Sequence, residues 1–298
     1  MELMPSDNAE HTFAGDRRMA KIAIEPGSVQ ETLIIPLYGR KLCAEIFPEL
    51  YRDKTAARIC ANIDYDFTGL DRQAQSTLWK FGALEAAMRQ LDMQWEIHDY
   101  LARHPQSAIV NMGCGLDQTG QSCDNGTCRI YNVDMPDIIE ARKLLSPAGE
   151  RELNISSDLN DYSWMDKIDG SNGAIFFAAG VFHYLTFDQA KALATELARR
   201  FPGGRLVFDT VGKLGKLLMR RTFKNFGIED YGDCLRVEDI AEIAAWVPSA
   251  SVSERGYMLG YYDMDDPAVT GRHRFLARCC DELVKMRIVR MDFAEQPE

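Results

Sequence analysis

The hydrophobic and polar positions of this chain change rhythm once, near residue 105. Before that point apolar residues recur every three or four positions in Arg40 to Phe47, Lys54 to Ile63, Thr77 to Met88 and Asp92 to Arg103. That spacing predicts helices with one buried face. The apolar run from Glu31 to Arg40 contains Pro36, which predicts a break, since proline gives a helix interior no N–H and clashes with the preceding turn. After His104-Pro105, short apolar runs alternate with helical segments. Strands are predicted at 108–112, 129–134, 151–155, 173–178, 204–209, 251–257 and 286–293, and helices at 136–145, 187–201, 237–246 and 272–285. This alternation predicts an α/β fold whose mostly parallel sheet is covered on both faces. Arg287 to Phe293 alternates polar with apolar, which suits an antiparallel edge strand.

Two stretches stand outside the rhythm. Residues 1–28 are polar, carry Pro5, Gly15, Pro26 and Gly27, and read as a flexible arm. Residues 212–235 set Lys213, Lys216, Arg220, Arg221 and Lys224 among Leu214, Leu217, Leu218, Met219 and Phe223. This segment reads as an inserted amphipathic helix, either a lid burying Leu214, Leu217, Leu218 and Phe223 or an ordinary surface helix with snorkelling lysines. The chain then divides into the arm, a helical cap over 29–105 and a core over 106–298 that carries the insertion.

Length and charge narrow the function. A chain of 298 residues with 46% hydrophobic content holds one large α/β domain or two small ones. Its net charge of −11 argues against nucleic acid or an anionic membrane as the main partner. No apolar run approaches the roughly 20 residues of a membrane helix, and Met1 to Asp16 lacks a signal-peptide pattern, so a cytoplasmic protein is expected. The eight cysteines are scattered, as in a reduced protein. Cys123 and Cys128 have no second ligand pair nearby, so no metal is expected.

The chemistry gathers at Ile109-Val110-Asn111-Met112-Gly113-Cys114-Gly115-Leu116-Asp117 and at Tyr131-Asn132-Val133-Asp134. Each begins as a buried strand. The first ends in a glycine turn that lets a ligand approach the backbone, and the second ends in a carboxylate. In a doubly wound sheet that pair holds a nucleoside, the acid accepting from the ribose hydroxyls. A dinucleotide cradle asks for a third small residue where this chain has Gln118, which favours a ligand without phosphate. S-adenosylmethionine is such a ligand. The plain alternative is a tight turn with Asp134 solvated at a strand end.

These residues, together with Met135-Pro136-Asp137-Ile138-Ile139, resemble the leucine carboxyl methyltransferase family. Within it they are most like bacterial O-methyltransferases similar to the tetracenomycin polyketide synthesis O-methyltransferase. Glu31 to Tyr38, Ile63 to Phe67 and Ala179-Gly180-Val181-Phe182-His183-Tyr184-Leu185 are similar to that branch as well. The resemblance implies a Rossmann-like S-adenosylmethionine-dependent methyltransferase fold with a helical N-terminal cap. It implies that Gly113, Cys114 and Gly115 pass under the methionine part and the ribose, that Asp134 takes the ribose hydroxyls, and that Met135 packs on the adenine. Asp158 and Leu159 would meet the adenine edge, Ala179 and Gly180 would line the cofactor, and Arg89 would meet its carboxylate. The chain departs from the family at Ala179, at Gln118-Thr119 and at Ser122, positions where many members carry charge. Those departures bear on the acceptor more than on the cofactor.

Methyl transfer from a sulfonium needs alignment in a dry site, and a base only when the acceptor is a hydroxyl. His183 is the candidate base, or else a partly buried histidine bonded to backbone. Tyr38, Tyr184 and Trp79 are candidates to line an acceptor pocket, or else core aromatics. Asp209 either faces the acceptor or caps the next helix. The expected activity is O-methylation of a small-molecule carboxylate or hydroxyl. A nicotinamide-dependent oxidoreductase and a catalytically silent cofactor-binding protein remain the alternatives.

Overall fold

The computed structural model describes residues 22–23, 31–225 and 235–295. Helices α1 (Glu31–Ile46), α2 (Lys54–Ala61), α3 (Thr68–Gln73) and α4 (Thr77–Leu101) come first, with the short strands β1 (Ile22–Ala23) and β2 (Ile63–Asp64) paired in parallel. The alternating part follows: β3 (Ala108–Met112), α5 (Thr119–Ser122), β4 (Arg129–Asp134), α6 (Pro136–Leu145), β5 (Glu152–Ser156) and β6 (Ala174–Ala178). The remainder is α7 (Phe187–Arg200), β7 (Arg205–Thr210), α8 (Lys213–Asn225), α9 (Ile240–Ala244), β8 (Ser251–Gly256), α10 (Gly271–Glu282) and β9 (Arg287–Asp292).

Seven strands form one sheet in the order β5-β4-β3-β6-β7-β9-β8. All neighbours are parallel except that β9 runs antiparallel to both β7 and β8. Every residue of β3, β6 and β7 is buried, which is why these strands read as unbroken apolar runs. The antiparallel strand predicted at 286–293 is present but lies one place in from the edge. Ile288, Val289 and Met291 are all buried, whereas β8 exposes Ser251, Ser253, Glu254 and Arg255 and takes the edge. Chain order reverses at β3, with β4 on one side and β6 on the other, and a crevice opens above such a switch point.

The cap corrects two expectations. Helix α1 runs straight through Pro36. An interior proline costs about 3 kcal/mol, yet burying each large apolar side chain contributes roughly 1.5–3 kcal/mol, and α1 buries Ile34, Leu37, Tyr38 and Leu42. Gly39 permits the close packing that makes this possible, since a Cβ there would lie 3.1 Å from Ala86 Cβ of α4. Helix α4 is also one element, where the pattern predicted two. The residues between the two predicted segments, Arg89, Gln90 and Leu91, continue the helix, and Gln90 is buried.

Asp92 is fully buried, and neither carboxylate oxygen has a hydrogen-bond partner. Burial, then the nearby charges of Asp281 and Glu96, push its carboxyl well above the ordinary value. The folded state therefore holds a proton that the unfolded chain releases near pH 4. Its contribution is present below that unfolded value and is lost as pH rises toward the folded one. Asp92→Asn carries no titrating group, so it is expected to flatten the decline above pH 4 and to gain on wild type by about 1.4 kcal/mol per pH unit until the folded value is reached. Urea denaturation at pH 4, 6 and 8 measures this, and an unchanged pH profile would contradict it.

The helix read in the insertion is present as α8. Leu214, Leu217 and Leu218 are 44%, 52% and 43% exposed, while Lys216 is buried. Helix α8 packs through its small face instead: a Cβ on Gly215 would meet Val211 at 2.7 Å and Val284 at 2.9 Å. The Phe223 side chain and residues 226–234 lie outside the described residues.

Candidate functional site

The glycine turn follows β3 with Gly113 at φ +63° and Gly115 at φ +47°. A Cβ on Gly113 would lie 2.5 Å from Val181, and one on Gly115 would lie 2.9 Å from Leu33 of α1. The turn thus needs glycine both for its left-handed backbone and for its contact with the cap and with the loop after β6. Asp134, at the tip of β4, is tied to it. Its Oδ2 accepts from the Gly115 amide at 2.7 Å and its Oδ1 from the Met135 amide at 2.8 Å. Burial raises the Asp134 carboxyl above its ordinary value, and these two amides work against that rise.

A cleft of about 560 Å³, counting its open mouth, lies between this turn and the cap. Leu33, Pro36 and Leu37 of α1, Ala86 of α4 and Ala179 make its apolar walls, and Arg40, Arg89, Gln90, Asn111 and Asp117 its polar ones. Asp117 gathers the polar groups. It accepts from Arg40 at 2.5 Å, Gln90 at 3.0 Å, Asn111 at 3.2 Å and the Thr119 hydroxyl at 2.9 Å. Burial works to raise its carboxyl, but Arg40 and Thr119 outweigh burial and hold it below the ordinary value.

A second hub sits at the end of β7. Asp209 is buried, and its Oδ1 accepts from the Gly180 amide at 2.6 Å. Its Oδ2 lies 3.3 Å from Arg89 Nη1 and 3.1 Å from His183 Nε2. Burial opposes ionisation, yet the charges of His183 and Arg89 and the Gly180 amide keep the carboxyl well below the usual carboxylate range. Asp209 therefore engages Gly180, His183 and Arg89 with its two oxygens. It fixes the Arg89 side chain over Gly180, where a Cβ would come within 2.5 Å of Arg89 Nη1.

No protein-family model matches the chain. The tetracenomycin polyketide synthesis O-methyltransferase of Streptomyces glaucescens is similar to it, 29% identical over 184 residues. That match spans 61% of this chain and 66% of the relative, just under two thirds of the relative's length. Among solved structures, a candidate methyltransferase from Thermobifida fusca YX superposes with a TM-score of 0.52 at 16% identity, over 87% of this chain and 94% of that one. A DUF574 family protein from Streptomyces avermitilis MA-4680 superposes with a TM-score of 0.54 at 12% identity, over 86% and 97%. The superpositions and the strand order show the Rossmann-like fold of methyltransferases. The resemblance read from the glycine and Asp134 motifs and the Streptomyces glaucescens relative point to the same branch.

On this methyltransferase fold the predicted residues fall into two groups. Gly113, Cys114, Gly115, Ala179 and Arg89 line one cleft, with Asp134 bonded to the turn and Gly180 bonded to Asp209. Met135 is 47% exposed at the strand tip, an apolar side chain open to a ligand beside Asp134. Asp158 is exposed and accepts from Asn160, while Leu159 is buried. Tyr38 is placed elsewhere. Its hydroxyl donates to Asp71 at 2.6 Å and its ring stacks on Phe67, so it packs inside the cap and does not line the cleft. Tyr184 is half exposed beside the buried His183.

Arg40, Gln90, Asn111 and Asp117 are the cleft residues that sequence reasoning passed over. The signal was present in part: Arg40 interrupts an apolar helical pattern, and Asp117 ends the glycine motif. Among the described residues no helix is long and apolar enough to cross a membrane, and no group of three or more potential metal ligands comes together.

Proposed function

We propose that this protein is an S-adenosylmethionine-dependent O-methyltransferase acting on a small-molecule carboxylate or hydroxyl, in polyketide or other secondary metabolism. The observation that carries this reading is the Gly115 amide bonded to Asp134 at the mouth of a cleft roofed by the cap. Three features of the chain fit that cofactor better than a dinucleotide. The glycine turn leads only into the four-residue α5, so no long helix dipole points at a pyrophosphate. Arg40 and Arg89 are paired with Asp117 and Asp209, so the cleft offers a balanced set of charges and not a cationic cradle for a pyrophosphate. The same paired charges suit a zwitterionic amino-acid end.

Bound S-adenosylmethionine would supply a methyl group already activated on a sulfonium. The chain's own part is to orient and to exclude water. Asp134 would hold the ribose, Met135 the adenine face, Asp158 and Leu159 the adenine edge, and Arg89, steadied by Asp209, the carboxylate. Leu33, Pro36, Leu37 and Ala179 keep water from the cleft. For a hydroxyl acceptor, His183 is the proposed base. Asp209 engages its Nε2, leaving Nδ1 to take the proton. A carboxylate acceptor needs no such step.

The test incubates the protein with methyl-labelled S-adenosylmethionine and parallel panels of phenols and carboxylic acids. Label should enter an ether or an ester, with one S-adenosylhomocysteine formed per methyl. Transfer to phenols that His183→Ala abolishes, with ester formation untouched, would assign the base. Transfer to nitrogen or carbon alone would overturn the O-methyl reading.

A further inference from the structure

Arg142 has no part in the readings above, yet it lies directly under the glycine turn. It is 1% exposed on α6. Its Nη1 donates to the carbonyl oxygen of Gly115 at 3.1 Å and also to that of Asp117. Its Nη2 lies 3.3 Å from Glu152 Oε1 of β5, and the Glu152 side chain is equally sealed. Glu152 in turn accepts from the Asn132 side chain and from the Gly149 amide. Just past the end of α6, the Ser146 hydroxyl accepts from the Gln118 side-chain amide. Helix α6 therefore grips the chain at residues 115, 117 and 118.

Those are the residues whose remaining groups build the cleft. The Gly115 amide meets Asp134, and the Asp117 carboxylate holds Arg40 and Gln90. Glycine has no Cβ to restrict its backbone, so the peptide after Gly115 turns freely unless something holds its carbonyl. A buried guanidinium donating to two carbonyls does so, and its planar fork loses little entropy in the act. Balancing the Glu152 charge would not require either carbonyl.

We propose that Arg142 is a positioning residue for the cofactor site, holding the peptides after Gly115 and Asp117 so that the turn meets its ligand already shaped. The assignment rests on the nucleoside reading of the cleft, and its test separates the two. Arg142→Met leaves the buried Glu152 without its counter-charge, so it should lose both stability and affinity. Arg142→Met with Glu152→Leu removes both charges, which should restore stability but not binding. S-adenosylhomocysteine should bind this double variant about tenfold more weakly than wild type, as expected for lost charged hydrogen bonds. In the ligand-free double variant the amides of residues 113–118 should exchange faster with solvent deuterium. Glu152→Gln alone should lose stability and keep wild-type affinity. Arg142→Lys keeps a charge but has one nitrogen for what Nη1 and Nη2 do together, so it cannot hold the carbonyls and Glu152 at once and should lose affinity. A stable double variant with wild-type affinity, or with unchanged exchange at 113–118, would overturn the proposal. A wild-type protein that takes no S-adenosylhomocysteine would overturn the nucleoside reading instead, and the ligand-free exchange would still decide whether Arg142 holds the turn.

Discussion

Asp134→Ala is expected to weaken S-adenosylhomocysteine binding by about ten- to a hundredfold, since each lost charged hydrogen bond costs roughly 1.5–3 kcal/mol. The loss has two sources. The ribose hydroxyls lose their acceptor, and the Gly115 and Met135 amides lose theirs, so the turn relaxes as well. Asp134→Asn keeps the shape and one acceptor oxygen, and should fall between wild type and alanine. A pH dependence follows from the raised Asp134 carboxyl. The ionised form accepts from both hydroxyls, and protonation removes an acceptor. Affinity should therefore begin to fall, on acidification, at a higher pH than an ordinary aspartate would give, and Asp134→Ala should lose that dependence. Isothermal calorimetry across pH 4–8 reads both effects. Undiminished binding by the alanine variant would remove Asp134 from the ribose.

The largest effect on stability is expected at Asp209. Removing one partner of a buried ion pair costs about 3–5 kcal/mol, and because the Arg89 side chain is one-fifth exposed the lower end applies. Asp209→Ala also strands the Gly180 amide and releases His183. Asp209→Asn should restore the Gly180 contact but not the charge. The Asp209 carboxyl is depressed in the folded state, so its contribution is full above its unfolded value near pH 4 and is lost as pH falls toward the folded one. Both variants should lose stability at pH 7, and the gap to wild type should narrow below pH 4. Because Arg89 loses its anchor, the KM for S-adenosylmethionine should rise as well. Wild-type stability at pH 7 in Asp209→Ala would show that Arg89 and His183 are held by something else.

What the sequence reveals and what it hides divide along local and distant contacts. Strands β3, β6 and β7 are legible because burial on both faces demands unbroken apolar runs. The turn at Gly113 and Gly115 is legible because only glycine takes its backbone angles without strain. Helix α1 was misjudged at Pro36 because the packing that outweighs the proline, Gly39 against Ala86, joins residues far apart in the chain. The same holds for the charges. Arg40 and Asp117 are 77 positions apart, and Arg89 and Asp209 are 120 apart, so neither spacing announces a pair. Helix α8 misled in the opposite way: its leucines matched an amphipathic pattern, but Gly215 set the face that packs. The position of β9 inside the sheet was hidden because alternation along one strand does not say which neighbours flank it.

The cleft beneath the cap is the proposed site of S-adenosylmethionine. Parallel calorimetric titrations of the unmodified protein with S-adenosylhomocysteine and with NADH test it most directly. The account predicts one saturable site for S-adenosylhomocysteine and no heat from NADH beyond dilution. Saturable NADH binding with no response to S-adenosylhomocysteine would contradict it.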